Sequence, residues 1–392
     1  MREQATKLLQ KMTSNPAAHF HSDQYESIFE LVENRRKMLV VQKTGWGKSA
    51  VYFIATKLLR QQGKGPSIII SPLIALMRNQ IESARRVGLE IATINSSLSR
   101  EERTFNENRI INQQVDAIIL APEQLANEKL VNNVLSAVLS NTGLFVIDEA
   151  HCISDWGHDF RPDYRRIVRI IQFMPANMPI LATTATANNR VVADIQSQIG
   201  SDMTTYRGEL MRESLHLQNI PQLNKAQRLA WLLQTLPELE HTGIIYAKTT
   251  RDCDLVADWL KKNGIDARAY YGDVAGDERI ALEDDLINNR LKALVATSAL
   301  GMGFDKPDIG FVIHFQAPGN VIEYYQQVGR AGRGIDNAHG VLMLGEEDEQ
   351  IQGFFIRNAF PSEDDVLQVL DALEQTDGLK KAQIEPHMLE RQ

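Results

Sequence analysis

Two short strings in this chain carry the residue types that handle a nucleoside triphosphate. In QKTGWGKS (42–49), Gly45 and Gly47 let the backbone curl until its amides face phosphate oxygens, Lys48 neutralises β and γ charge, and Ser49 offers a hydroxyl to Mg²⁺. In LFVIDEAH (144–151), an apolar run brings Asp148 and Glu149 to its C-terminal end, where an acidic pair can hold Mg²⁺ and orient an attacking water. Just beyond, Trp156, His158, Phe160 and Arg161 crowd into a short loop of π-faces and positive charge, the residue types that stack on and clamp single-stranded nucleic acid. One continuous segment could therefore report the occupancy of one site to the other. Later, QQVGRAGR (326–333) sets Arg330 and Arg333 three residues apart on an expected helix, from which both can face a γ-phosphate across a cleft.

The elements that must position these groups alternate regularly. MLVVQ (38–42), SIIIS (67–71), DAIILA (116–121), LFVID (144–148) and PILATT (179–184) read as strands separated by helical lengths. TGIIYA (242–247), ARAYYG (267–272), KALVAT (292–297), GFVIHF (310–315) and GVLML (340–344) repeat the pattern. Such alternation predicts an α/β fold with two tandem parallel-sheet domains. The join is expected near Ser201 to Asn219, where the helical pattern stops at Gly200 and a polar stretch follows. The expected domains are thus 1–205 and 206–345, with 346–392 a short helical extension or the start of an accessory domain.

Composition narrows the classes. With 392 residues, 43% hydrophobic and 23% charged, the chain has room for two full cores and no sign of wholesale disorder. No apolar run is long enough to span a bilayer and the N-terminus lacks the apolar centre of a signal peptide, so a cytoplasmic, membrane-free protein is expected. A formal charge of −8 does not advertise a nucleic-acid binder, but a basic site can focus a phosphate backbone while the outer surface stays acidic. Only Cys152 and Cys253 occur, too few for a four-thiolate site, so no structural zinc is expected.

DEAHCISDWGHDFRPDY (148–164) resembles motif II and the aromatic-rich loop of the RecQ helicases, in superfamily 2. The likeness runs from about Phe20 to Leu344 and implies two RecA-like domains, ATP and Mg²⁺ as cofactors, and a place for His151 beside the catalytic carboxylates. By the same resemblance, HFHSDQ (19–24) is an adenine motif in which Gln24 pairs with the base above Phe20, and Thr44 joins the phosphate loop. SPLIALMRNQI (71–81) resembles motif Ia, with Ser71 donating to a strand phosphate. TTATAN (183–188) is similar to motif III through Thr184 and Thr186. IIYAKTTRDCDLVADWL (244–260) resembles motif IV, with Lys248, Thr249 and Arg251 as strand contacts, and VATSALGMGFDKPD (295–308) resembles motif V, placing Asp305 near the ribose and Thr297 near nucleic acid. Arg333, with Arg330 beside it, becomes the arginine finger by similarity to motif VI.

Some positions depart from the family pattern: Trp46 stands where Gly is frequent, His21 and Gln124 where Arg is usual, and no Cys follows Cys253. The chain is therefore expected to be a zinc-free branch or to continue into further domains. The implied activity is an ATP-dependent 3′ to 5′ helicase or translocase on single-stranded and partial-duplex DNA, in repair or recombination. The rivals are another superfamily 2 enzyme, an RNA helicase or duplex translocase, and a nucleic-acid binding module with a degenerate ATPase.

Overall fold

The computed structural model describes residues 1–72, 81–95, 98–154, 162–175, 177–209, 211–301, 304, 306–358 and 367. They form two compact units. One comprises Met1–Leu215 with Leu300–Ile309 and Tyr325–Ala338; the other comprises His216–Ala299, Gly310–Tyr324 and the chain from His339 onward.

Among the described residues, the first unit is built on β1 (Lys37–Val41), β2 (Ser67–Ile70), β3 (Ile91–Ile94), β4 (Ala117–Leu120), β5 (Leu144–Ile147), β6 (Ile180–Thr184) and β7 (Thr204–Arg207), ordered β3-β4-β2-β5-β6-β1-β7. All the pairings are parallel. The alternating direction of strand side chains explains the near-continuous apolar runs. Leu39, Val41, Ile68, Ile70, Phe145 and Ile147 enter the core on one face. Met38, Val40, Ile69, Leu144 and Val146 enter a second core on the other. A sheet buried on both faces exposes only its strand ends, and in parallel sheets ligands collect outside the carboxyl ends. β1, β2, β5 and β6 bring Gln42, Ser71, Asp148 and Thr184 to that edge.

The second unit contains β8 (Leu215–Leu223), β9 (Thr242–Tyr246), β10 (Ala267–Tyr270), β11 (Ala293–Ala296), β12 (Ile309–His314) and β13 (Ala338–Gly345), ordered β10-β11-β9-β12-β13-β8. Its core gathers Ile245, Val295, Phe311, Ile313 and Val341 with Leu232, Val256 and Leu260 from the covering helices. Of the expected helical extension, Asp348–Asn358 is a helix and nearly all that follows lies outside the described residues.

Three strands go beyond the apolar pattern of the sequence. β3 is only four residues long, β7 lies within the stretch read as a polar join, and β8 begins in it. β3, β7 and β8 are all edge strands. Side chains on β7 are half-buried or exposed, and β8 carries Pro221, which an edge strand tolerates because one row of its amides needs no ladder partner.

Candidate nucleotide site

After Val41 the chain turns through residues 42–47 into the helix Lys48–Gln61. Gly45 and Gly47 take φ values of +84° and +91°, the left-handed region that favours glycine, and a Cβ on Gly47 would lie 2.6 Å from Gln24 Nε2. That closeness reflects a brace. Gln24 is buried, its Nε2 donating to Trp46 O at 2.6 Å and its Oε1 accepting from His21 N at 2.8 Å. Phe20 packs against Tyr25, ring centroids 5.9 Å apart. Gln24, expected to pair with the adenine, therefore also holds the phosphate loop.

Lys48 Nζ donates to Gln42 O (2.8 Å) and Lys43 O (3.3 Å) at the end of β1. Burial pulls its pKa below the usual lysine value, Arg333 and Arg212 push in the same direction, and Glu149 and Asp148 oppose them. The Lys48 ammonium thus feels charges of both signs at once. Ser49 stands at the second position of the helix, where its hydroxyl can reach a metal beside the loop.

Asp148 is buried at the end of β5. Thr183 Oγ1 donates to its Oδ1 at 2.7 Å, the Glu149 amide donates to the same oxygen at 3.1 Å, and Ser71 Oγ lies 3.4 Å from Oδ2. Burial, with the Glu149 charge adding to it, pushes the Asp148 carboxyl up to about 6, against the pull of Thr183 and Lys48. Glu149 takes a left-handed φ of +50°, an uncommon conformation for a residue with a side chain. His151, fully buried, places Nδ1 2.9 Å from Thr184 Oγ1 and 3.3 Å from Glu149 Oε2. Thr184 Oγ1 in turn donates to Thr186 O at 3.2 Å. Motif II and the TTATAN segment therefore form one hydrogen-bonded assembly.

The helix Val321–Val328 ends before the arginine pair, so the expectation that Arg330 and Arg333 lie on that helix is corrected: both sit on the turns beyond it. Gly329 and Gly332, the latter at φ +69°, permit those turns. Arg330 is buried and donates from Nη1 to Phe304 O at 3.1 Å. The Arg333 stem passes Gly45 so closely that a Cβ there would sit 3.3 Å from Cγ.

Arg212 belongs to none of the sequence motifs. It follows β7 and donates from Nη2 to Thr44 O at 2.6 Å and from Nη1 to Gly329 O at 3.1 Å and Ala331 O at 2.5 Å. Thr44 Oγ1 also donates to Gly329 O at 3.0 Å. Thr44 and Arg212 border a cavity of about 720 Å³ that His21, Lys43, Gly45, Trp46 and Arg333 also line, with Glu209, Glu213 and Asp336 on its wall. Thr183 is a second residue of the candidate site that the motifs do not mark, since it stands beside Thr184 with no distinguishing spacing. Tyr164 is a third: it is buried and donates to Asp148 O at 3.0 Å.

The residues expected to touch nucleic acid are less gathered. Ser71 is fully buried, with its hydroxyl toward Asp148 and its amide on Leu120 O, so in this structure it serves the carboxylate side. Thr249 caps the helix Thr250–Lys262 by accepting from Asp252 N. Lys248 pairs with Glu323 at 3.0 Å, Arg251 is exposed, and Thr297 Oγ1 accepts from Ala299 N. Trp156, His158, Phe160, Arg161 and Asp305 lie outside the described residues.

A glycine-bearing phosphate loop, a buried aspartate with a neighbouring glutamate, and two arginines on adjoining turns are the features expected at the nucleotide site of a helicase ATPase. Residues 21–195 match the DEAD/DEAH box helicase model and residues 224–334 the helicase conserved C-terminal domain. The fold resembles Saccharomyces cerevisiae Dbp5 bound to RNA and ADP BeF3, with a TM-score of 0.70 at 20% identity over 89% of this chain and 91% of that one. Two tandem RecA-like units result.

More particularly, the chain belongs to the RecQ family of ATP-dependent DNA helicases. It is 33% identical over 356 residues to RecQ of Synechocystis, covering 87% of this chain and 73% of that protein. It is 35% identical over 342 residues to RecQ of Bacillus subtilis, again over 87% of this chain but only 56% of the relative's length. No helix among the described residues is long and apolar enough to cross a membrane.

Proposed function

We propose that the chain is an ATP-driven motor that moves 3′ to 5′ on single-stranded DNA and unwinds partial duplexes, in cytoplasmic DNA repair or recombination. The observation that carries the reading is the geometry around one phosphate loop: Lys48 Nζ is turned back onto Gln42 O and Lys43 O, the Arg333 stem passes against Gly45, and Asp148 with Glu149 stands at the same carboxyl edge of the sheet. Lys48 would exchange its two backbone carbonyls for phosphate oxygens. Glu149 would orient and deprotonate the attacking water, with His151 holding the glutamate. Arg330 and Arg333 would stabilise the charge developing on the transferred phosphoryl group. Gln24 and Phe20 would meet the adenine, and Asp305 the ribose.

The donor set fits Mg²⁺: one buried carboxylate, Asp148, and one helix-start hydroxyl, Ser49, are what a metal held mostly by phosphates and water requires. The described residues hold no cluster of three or more His, Cys, Asp or Glu, which such a site does not need. The ion, when bound, would offset phosphate charge. Trp156, His158, Phe160 and Arg161, with Lys248, Thr249, Arg251 and Thr297, would engage the DNA strand.

The test is ATPase rate with single-stranded DNA, duplex DNA and RNA, for the wild type and Glu149→Gln. Single-stranded DNA should stimulate most. The variant should bind MgATP and lose about 10²- to 10⁴-fold in turnover, because its shape persists while its basicity does not. Stimulation by RNA alone would overturn the DNA assignment, and normal turnover in Glu149→Gln would overturn the site.

A further inference from the structure

Arg212 lies in the link after β7, outside every motif identified in the sequence, yet it joins the two parts of the nucleotide site. Its guanidinium is a rigid fork. Nη2 donates to the carbonyl of Thr44 in the phosphate loop, and Nη1 donates to the carbonyls of Gly329 and Ala331, which flank Arg330. Gly329 O is a node: it also accepts from Thr44 Oγ1 at 3.0 Å and from Arg333 Nε at 3.4 Å. A Cβ on Gly329 would stand 3.0 Å from that threonine hydroxyl, so the close approach favours glycine at this position. A planar group with several donors can hold three carbonyls on two segments at once; a lysine ammonium is a point charge on a flexible stem.

We propose that Arg212 is a positioning residue for ATP hydrolysis, setting the depth and angle at which the arginine turn 329–333 meets the phosphate loop. This rests on the reading that Arg330 and Arg333 act on the transferred phosphoryl group. Arg212 works through them rather than on the phosphates, because Nη1 and Nη2 are directed at backbone carbonyls of the loop and the turn. Ser214, two residues on, fixes the same turn by donating from Oγ to Gly332 O at 2.7 Å, and its carbonyl accepts from Ala338 N. The link thus grips the arginine turn at Gly329, Ala331 and Gly332. Displacement of a reacting group by about 1 Å can cost on the order of 10²-fold in rate, so removal of this grip should appear in kcat and leave nucleotide affinity nearly intact.

The experiment is a double-mutant cycle on the full chain, with DNA-stimulated kcat and the affinity for a fluorescent ATP analogue measured for Arg212→Ala, Arg212→Lys, Arg333→Ala and the double Arg212→Ala/Arg333→Ala. Arg212→Ala and Arg212→Lys should each lose about 10- to 100-fold in kcat with affinity changed less than about threefold. The double variant should be slowed by far less than the product of the two single losses, because with Arg333 gone only Arg330 is left to position. If Arg212→Lys keeps wild-type kcat, if the two losses multiply in the double variant, or if affinity falls in step with kcat in both Arg212 variants, the positioning role is overturned. Failure of the underlying reading is separate: it would show as an Arg333→Ala enzyme with undiminished kcat. Arg212→Lys, retaining the charge and most of the stem, keeps the test valid if Arg212→Ala does not fold.

Discussion

The two units present their motif residues in opposite condition. At the carboxyl edge of the first sheet, Asp148 is buried and raised to about 6, Glu149 holds a left-handed backbone, and Lys48 is depressed by burial and two arginines. In the second unit, Lys248 is paired with Glu323, and Thr249 both caps a helix and donates to Asp252. Asp252 also accepts from Lys225 and Gln316, and these bonds hold its carboxyl below the usual range against burial. The first region keeps charges in an environment that resists them, as reactive sites do. The second has settled its charges among themselves. Strain thus collects where the proposed hydrolysis would take place, and a satisfied scaffold lies where a strand would be gripped.

The strongest way to break that contrast is Lys48→Ala. If the first region is poised for chemistry, removing the ammonium should reduce ATP turnover by at least about 10³-fold, because phosphate charge goes uncompensated. The melting temperature should hold, since Nζ donates to two loop carbonyls and to no core group. A folded variant with near-normal turnover would show that this region is merely a Gly-rich turn.

A finer probe is Thr183→Val, which preserves shape and removes the donor to Asp148 Oδ1. A hydrogen bond to a charged group contributes about 1.5–3 kcal/mol. The carboxylate would be less well held in orientation and charge, so the Mg²⁺ concentration for half-maximal ATPase should rise about tenfold while the protein stays folded. An unchanged Mg²⁺ requirement would remove Asp148 from the metal set.

These two residues also mark how far the sequence could be read. Lys48 was legible because the phosphate loop is a contiguous string between a strand and a helix. The same holds for Asp148 and Glu149, and for the central strands, whose apolar runs are buried on both faces. Arg212 was not, since its partners lie 168 and 117 residues away and a lone arginine in a polar link has no period or spacing. Thr183 differs from Thr184 only in which way its side chain points, which the strand register decides. The missed strands β3, β7 and β8 are all edges, where one-sided exposure or short length erases the apolar run. What the sequence conceals is chiefly the long-range contact, because its warrant is geometric.

The smallest expected effect concerns Lys248, and it sharpens the contrast rather than breaking it. In the structure its ammonium lies 3.0 and 3.2 Å from the two oxygens of Glu323, which also accepts from the Gly319 amide at 2.7 Å. Gripping a DNA phosphate would mean exchanging one anion for another, so the net gain should be slight, about 1 kcal/mol or less. Lys248→Ala should therefore weaken single-stranded DNA binding only severalfold, and the slope of log affinity against log salt should fall by about 0.7, as expected when one phosphate of a single strand is no longer neutralised. Glu323→Gln, which weakens the hold on the ammonium, should tighten binding by a similar factor. Should both variants shift the melting temperature and leave the salt slope untouched, Lys248 belongs wholly to the scaffold. The strand would then be held by the aromatic-rich loop and the exposed Arg251 without it.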